Sequence, residues 1–321
     1  RSSLSSGELL MDAFGSDPDV AYRFEQGAGS VEANLRKVAA SQINRAIAEI
    51  DDPDLEPHKT VHQVRKRCKK LRGLVRLVRD AFDAYKVENV SFRDAAAQLS
   101  YVRDAEVIIQ TFDKLAASTS EANQIDPERF VTVRSGLLRR SAEILDQNGL
   151  QGRLSQFRDE MREARNRVEH WTLDELGFKA IAGGLGKTYA RARKAMRNAK
   201  KEPTAEHFHE WRKGIKYHWY HARLLQDIRP DVMKAHITAS DELSELLGDH
   251  HDLAVLHDTL SAEATAFGDQ AALASFTDLI TSRQSELAQQ AFALSSSLLA
   301  EKRSAFIKRW REYWLSAMPI E

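Results

Sequence analysis

A single cysteine, Cys68, among 321 residues leaves no disulfide framework and suits a reducing compartment, the cytoplasm. No apolar run approaches the roughly 18 residues that a membrane span requires, so no membrane partner is expected. Alternating apolar–polar stretches and Asn-Gly hairpins of any strength are missing too, which points to an all-α chain. Net charge is also missing: 47 Lys and Arg balance 47 Asp and Glu. The protein as a whole therefore does not advertise an anionic partner, but its charges are segregated. Residues 231–269 hold nine acids and one base, whereas 59–79 and 187–201 hold bases and no acids. A hydrophobic content of 42% is enough for a real core, and the length suits two domains or one repeat pair.

Lys59 to Arg79 reads KTVHQVRKRCKKLRGLVRLVR. On a helix, Arg65, Lys66, Lys69, Lys70, Arg72 and Arg76 lie within roughly 80° of His62. Val64, Leu71, Leu74, Val75 and Val78 gather on the opposite side, and Cys68 leans toward them as a packed thiol. The pattern returns in HEWRKGIKYHWYHAR, where His209, Arg212, Lys213, Lys216 and Arg223 take the offsets of His62, Arg65, Lys66, Lys69 and Arg76. Trp211, Ile215, Ala222 and Leu225 supply the second apolar face. A solvated surface helix mixes acids among its bases so that i,i+4 pairs form. Two matching strips without such an acid point to an anionic ligand.

Residues 1–29, rich in Ser, Gly and acids, suggest a loosely ordered tail. The chain begins at Arg1 rather than Met, which leaves room for an upstream segment. Ser30 caps a helix to about Ile50, and Pro53 and Pro57 lead into the basic helix, expected to reach Ala84. One helix is expected from Ser91 to Ala117, and another opens at Asp126-Pro127-Glu128 and closes at Gly149. A fifth runs from Leu150 to Trp171 and carries Arg158, Arg162 and Arg165 on one side. Thr172 to Glu175 then forms a capping-box pattern and the order restarts. Helices follow to Lys201, from Thr204 through the second basic strip, from Pro230 to Leu247, and from Asp249 to Phe267. Two more end near Trp314.

Leu99-Ser-Tyr-Val-Arg103-Asp104-Ala-Glu-Val107 aligns with Leu247-Gly-Asp-His-His251-Asp252-Leu-Ala-Val255. The interval from His62 to Asp104 is 42 residues and that from His209 to Asp252 is 43. A tail over 1–29 and two repeats over 30–171 and 172–321 follow. Duplication implies two antiparallel helical bundles related by a pseudo-twofold axis, with the basic strips facing each other. His followed by Arg-Lys at the third and fourth positions and Lys at the seventh, with a downstream Leu-Gly-x-x-His-Asp-Leu-x-Val, resembles the CHAD domain, the conserved-histidine α-helical domain. The first half departs from that pattern, with Ser100 in place of the Gly and Arg103 in place of the His. The resemblance implies a two-bundle fold whose basic face binds inorganic polyphosphate, or other polyanions, without catalysis and without a cofactor. It places the protein in the cytoplasm, including at polyphosphate granules.

A polyphosphate needs many cations along a track, and a helix about 30 Å long with a cationic stripe provides them. Arg offers bidentate contacts to phosphate oxygens and Lys a point charge. His62 and His209 either join the track or are neutral bridging residues. Arg36, Lys37 and Arg45 flank the first strip; Lys187, Arg191, Arg193, Lys194 and Arg197 flank the second. Asp104 and Asp252 are read as carboxylates that orient basic residues. Two other readings stay open. His250, His251, Asp252 and His257 offer metal-ligand chemistry for a phosphohydrolase, though adjacent helical residues diverge by about 100°. Cationic helices also grip nucleic acid, although only Tyr220 and Trp219 fall near the basic faces as stacking platforms. Gly183 to Thr188 mimics the end of a phosphate-binding loop, but Ile181 stands where that loop needs Gly. It reads as closely packed helix, and His218 as a core residue.

Overall fold

The Ser30 hydroxyl accepts a hydrogen bond from the Ala33 amide at 3.2 Å and starts α1 (Val31–Asp51) as expected. The computed structural model describes residues 22–25, 29–121, 130–146, 149–262, 264–267 and 270–317, and every regular element among them is helical. The first half continues with α2 (Pro57–Leu77), α3 (Tyr85–Ala97), α4 (Ser100–Glu121), α5 (Val131–Asp146) and α6 (Leu150–Val168). The second half holds α7 (Gly177–Lys201), α8 (Ala205–Leu224), α9 (Pro230–Ala262), α10 (Gln270–Leu298) and α11 (Arg303–Ala317). Thr204 caps α8, accepting from the His207 amide at 3.2 Å.

Several boundaries differ from the sequence reading, each for a tertiary reason. Helix α2 stops at Leu77, short of Ala84, where α7 seats on its last carbonyls. A Cβ on Gly184 would lie 2.0 Å from the Leu77 carbonyl oxygen and 2.4 Å from that of Arg76. The glycine run thus serves close packing. The segment expected as one helix from Ser91 to Ala117 is divided between α3 and α4. There Arg65 donates to the Ala96 carbonyl and Arg153 to the Gln98 carbonyl, groups that an unbroken helix would give to its own amides. Conversely, α9 runs unbroken through Gly248. A mid-helix Gly costs about 1 kcal/mol, but Leu243, Leu247, Leu253, Leu256 and Leu260 are buried on both sides of it.

The capping box does not form. Helix α7 begins after Leu176 without a side-chain cap. The Leu173 amide donates instead to Glu32 at 2.9 Å, and the Asp174 amide to the Ala81 carbonyl at 3.0 Å. Gly149, at φ 53°, directly precedes α6, and residues 147–148, where the helix before it is expected to close, lie outside the described residues. The Asp126–Glu128 signal lies outside the described residues.

Every apolar position assigned to the two basic helices is buried, and His218 is a core residue. Cys68 is buried as well, and burial pushes its thiol up to about 12. One apolar cluster spans both halves, from Leu35 and Leu71 to Trp211 and Trp310. A second joins Phe112 of α4 and Leu137 of α5 to Leu256 of α9 and Phe276 of α10. The core therefore runs across the boundary at 171. The chain before α1 is not all loose. The Tyr22 hydroxyl donates to the Lys70 carbonyl at 2.6 Å, the Phe24 amide donates to the Leu224 carbonyl at 2.8 Å, and both rings are buried.

Gly184→Ala should destabilise the fold by about 3 kcal/mol, because the added methyl meets backbone rather than a movable side chain. Its urea midpoint should fall well below that of Gly152→Ala, a site where a Cβ meets nothing within 4 Å.

Candidate functional site

Helix α2 packs directly on α8, and a glycine sets the distance between them. A Cβ on Gly73 would lie 2.9 Å from both the Tyr22 hydroxyl and the Tyr220 Cβ. His221 Nε2 donates to the Gly73 carbonyl at 3.1 Å, so the two helices are also latched by a buried bond. This crossing turns the two cationic strips into one shared face. Lys69 of α2 is repelled by Arg65 on its own helix, by Arg212 and Lys216 of α8, and by Arg103 of α4. Its side chain stays exposed although protein crowds it on most sides. Lost hydration first, and then those four cations, pull its pKa down to about 7. Lys70 is buried beneath Tyr22, and burial, followed by repulsion from Arg67 and Arg223, brings it to about 7 as well.

What holds these cations together is largely aromatic. Arg76 and Arg72 lie over the Tyr217 ring at 4.3 and 5.9 Å. Lys216 and Arg223 lie over Trp219 at 4.0 and 4.9 Å, and Arg223 also reaches Tyr22 at 6.0 Å. A ring face attracts a cation without cancelling its charge, which leaves that charge available to a ligand. Among the described residues, Lys66, Lys69 and Arg212 have no ion pair within 4 Å, and Lys216 has a loose one to Asp241 at 3.8 Å. Tyr217 went unmarked in the sequence reading. It takes the offset from His209 that Lys70 takes from His62, and that register would have found it.

Both strip histidines are half-buried and held neutral. Burial first, then Arg103, Lys69 and Lys66, depress His62 to about 4, and burial with Lys213 and Arg212 lowers His209. His209 lies against His251, ring centroids 4.4 Å apart, while His250 stacks on Phe208 at 4.0 Å. The adjacent histidines thus turn to different neighbours. Among the described residues no three His, Cys, Asp or Glu side chains are placed to hold a metal ion.

The acids named beside the strips act at a distance. Asp104 is exposed and Asp252 half-buried, and their charges act on Arg65 and Arg212. Neither hydrogen-bonds its arginine, so they bias these residues through space. The cationic face of α8 does carry an acid: Glu210 accepts from Lys213 at 2.5 Å. Arg193 is committed to the Leu299 carbonyl at 3.0 Å and the Ala300 carbonyl at 3.4 Å, at the end of α10. Arg36 bonds Glu32 and the Trp171 carbonyl, Lys37 bonds Glu25, and Lys187 bonds Asp80. Arg45 lies half-buried beside Arg67 and Glu49, and its charge reaches Lys70. The shared face is therefore built from α2 and α8, with Arg103 from α4 and Tyr22 from the chain ahead of α1.

Comparison with protein families matches residues 37–261 to the CHAD domain. The crystal structure of the CHAD domain from the plant Ricinus communis is similar with a TM-score of 0.58, covering 89% of this chain and 98% of that one at 17% identity. At that identity the likeness concerns the fold. Among curated proteins none matches.

Proposed function

The chain belongs to the CHAD domain family, and on that premise we propose that it binds inorganic polyphosphate along the shared face of α2 and α8, without turning the polymer over. The observation that supports this reading is the crowding of cations on one face. Among the described residues, Lys66, Lys69 and Arg212 stand together without an ion pair within 4 Å, beside Lys216 and Arg223, which lie over Trp219. Cations held at such short range repel one another. A linear polyanion relieves that repulsion along its whole length, which a single small anion cannot do. No helix among the described residues is long and apolar enough to cross a membrane. Binding is assigned to the cytoplasm, including polyphosphate granules, and imaging of the tagged chain against stained granules tests that assignment.

Titration with long-chain polyphosphate, duplex DNA and ATP tests the ligand class, with polyphosphate expected to bind most tightly. Affinity should fall steeply and linearly on a log–log plot of added salt. By analogy with DNA, gripping about six phosphates gives roughly a thousandfold loss between about 50 and 200 mM. A shallow slope, or a preference for DNA, would overturn the reading. Incubation of polyphosphate with the protein and Mg²⁺, Mn²⁺ or Zn²⁺ should release no phosphate, and steady release would replace binding with hydrolysis.

A further inference from the structure

One carboxylate interrupts the cationic face of α8, and its geometry is that of a bound anion. Glu210 accepts from Arg191 Nη2 of α7 at 2.5 Å through one oxygen and from Lys213 Nζ at 2.5 Å through the other. The crossing of α7 and α8 brings these groups together. A Cβ on Gly214 would lie 2.7 Å from the Ala192 Cα, so the two backbones touch one residue away from Arg191 and Lys213. The seat is open to solvent: the Arg191, Glu210 and Lys213 side chains are 50%, 35% and 42% exposed. It is also continuous with the shared face, since Lys213 and Arg212 act together on His209. A guanidinium and an ammonium aimed at two oxygens are the donor set that a phosphate group takes.

We propose that Arg191 and Lys213 form a further phosphate subsite, closed in the free protein by Glu210, which swings away when a phosphate of the bound chain takes its place. This rests on the polyphosphate reading above. Exposed ion pairs are individually weak, so the exchange is accessible at ordinary temperature. Burial raises the Glu210 pKa, but the bonds from Lys213 and Arg191 outweigh it and hold the carboxyl at about 2. The seat is therefore opened by a competing anion rather than by mild acid. Glu210 then limits how far along the protein the polymer is gripped.

The test is titration of long-chain inorganic polyphosphate across a salt series with wild type, Glu210→Gln, Arg191→Gln and the double variant. Glu210→Gln should raise affinity roughly three- to tenfold and steepen the log–log salt slope by about one. Arg191→Gln should weaken wild-type binding, since the phosphate that displaces Glu210 loses that guanidinium, and it should cost more in the Glu210→Gln background, where no carboxylate has to be displaced first. Thermal melts check that each variant is folded. Should Glu210→Gln fail to fold, Glu210→Asp, too short to span both cations, should give part of the gain. Equal affinity and slope in wild type and Glu210→Gln, or an equal cost of Arg191→Gln in both backgrounds, would overturn the subsite alone. If wild type itself binds no polyphosphate, the subsite and the reading beneath it fall together.

Discussion

Replacing Lys69 and Arg212 together by Glu is expected to weaken polyphosphate binding by about 3–6 kcal/mol at low salt, since each charge-assisted contact contributes roughly 1.5–3 kcal/mol. That is a loss of roughly two to four orders of magnitude. The pair is chosen because neither cation has an ion pair within 4 Å among the described residues, one stands on each helix, and Arg212 is among the charges acting on Lys69. Arg65 is a poorer probe, since its guanidinium also holds the Ala96 carbonyl at the junction of α3 and α4. The control is Arg158→Glu on α6, where the native side chain bonds Asp51 at 2.9 Å. It makes the same charge change per residue on another helix and should cost little. Equal losses from the two kinds of change would show that only overall charge matters, and the shared face would lose its special role.

The second large effect is in pH, and its sign can be worked out. Lys69 and Lys70 sit at about 7 in the free protein, well below the ordinary 10.5. A bound polyanion replaces repulsion with attraction and raises both, so binding takes up protons above pH 7. Affinity should then fall as pH rises from about 7 toward 10, by up to about tenfold per unit for each lysine, and level off below 7 where both are already protonated. Phosphate end groups, with a second pKa near 6, are fully ionised across that window and cannot imitate the effect. Lys69→Arg and Lys70→Arg keep the charge and should flatten the curve; an unchanged slope in both would clear the lysines. His62, at about 4, adds uptake only on the acidic side, where His62→Gln reports it. The free protein has the opposite trend. Its unfolded lysines bind more protons than the folded ones between 7 and 10.5, so thermal stability should climb with pH there.

The reach of the sequence stops where contacts become long-range. Apolar periodicity placed both basic helices and their buried faces, because that pattern is local to one helix. Ser30 was legible as a cap, and Thr204 as the start of α8, because each cap bond spans three residues. The break between α3 and α4 was not, since Arg65 and Arg153 reach it from other helices. Nor was the end of α2, which depends on Gly184 more than a hundred residues away. For the candidate site, the cations could be read directly, but not what surrounds them. Two lysines read simply as point charges are shifted by neighbours on α8 and by burial under Tyr22. Glu210 was in plain view at the offset beside His209, and only the α7 crossing shows that it faces the strip.

The latch between His221 and Gly73 joins residues 148 positions apart. Helices form early from local contacts, whereas closing so long a loop comes at a heavy entropic cost and tends to come late. Mutual repulsion of the α2 and α8 cations adds to that delay, because their approach is unfavourable until Tyr220, His221 and Tyr22 interlock around Gly73. A half-folded chain is therefore expected to hold helical segments before it holds the assembled face, which hydrogen exchange during refolding would show. The polyanion binding proposed above would in this way report on the meeting of α2 and α8, and a polyanion added during refolding is expected to favour that assembly rather than the formation of the helices.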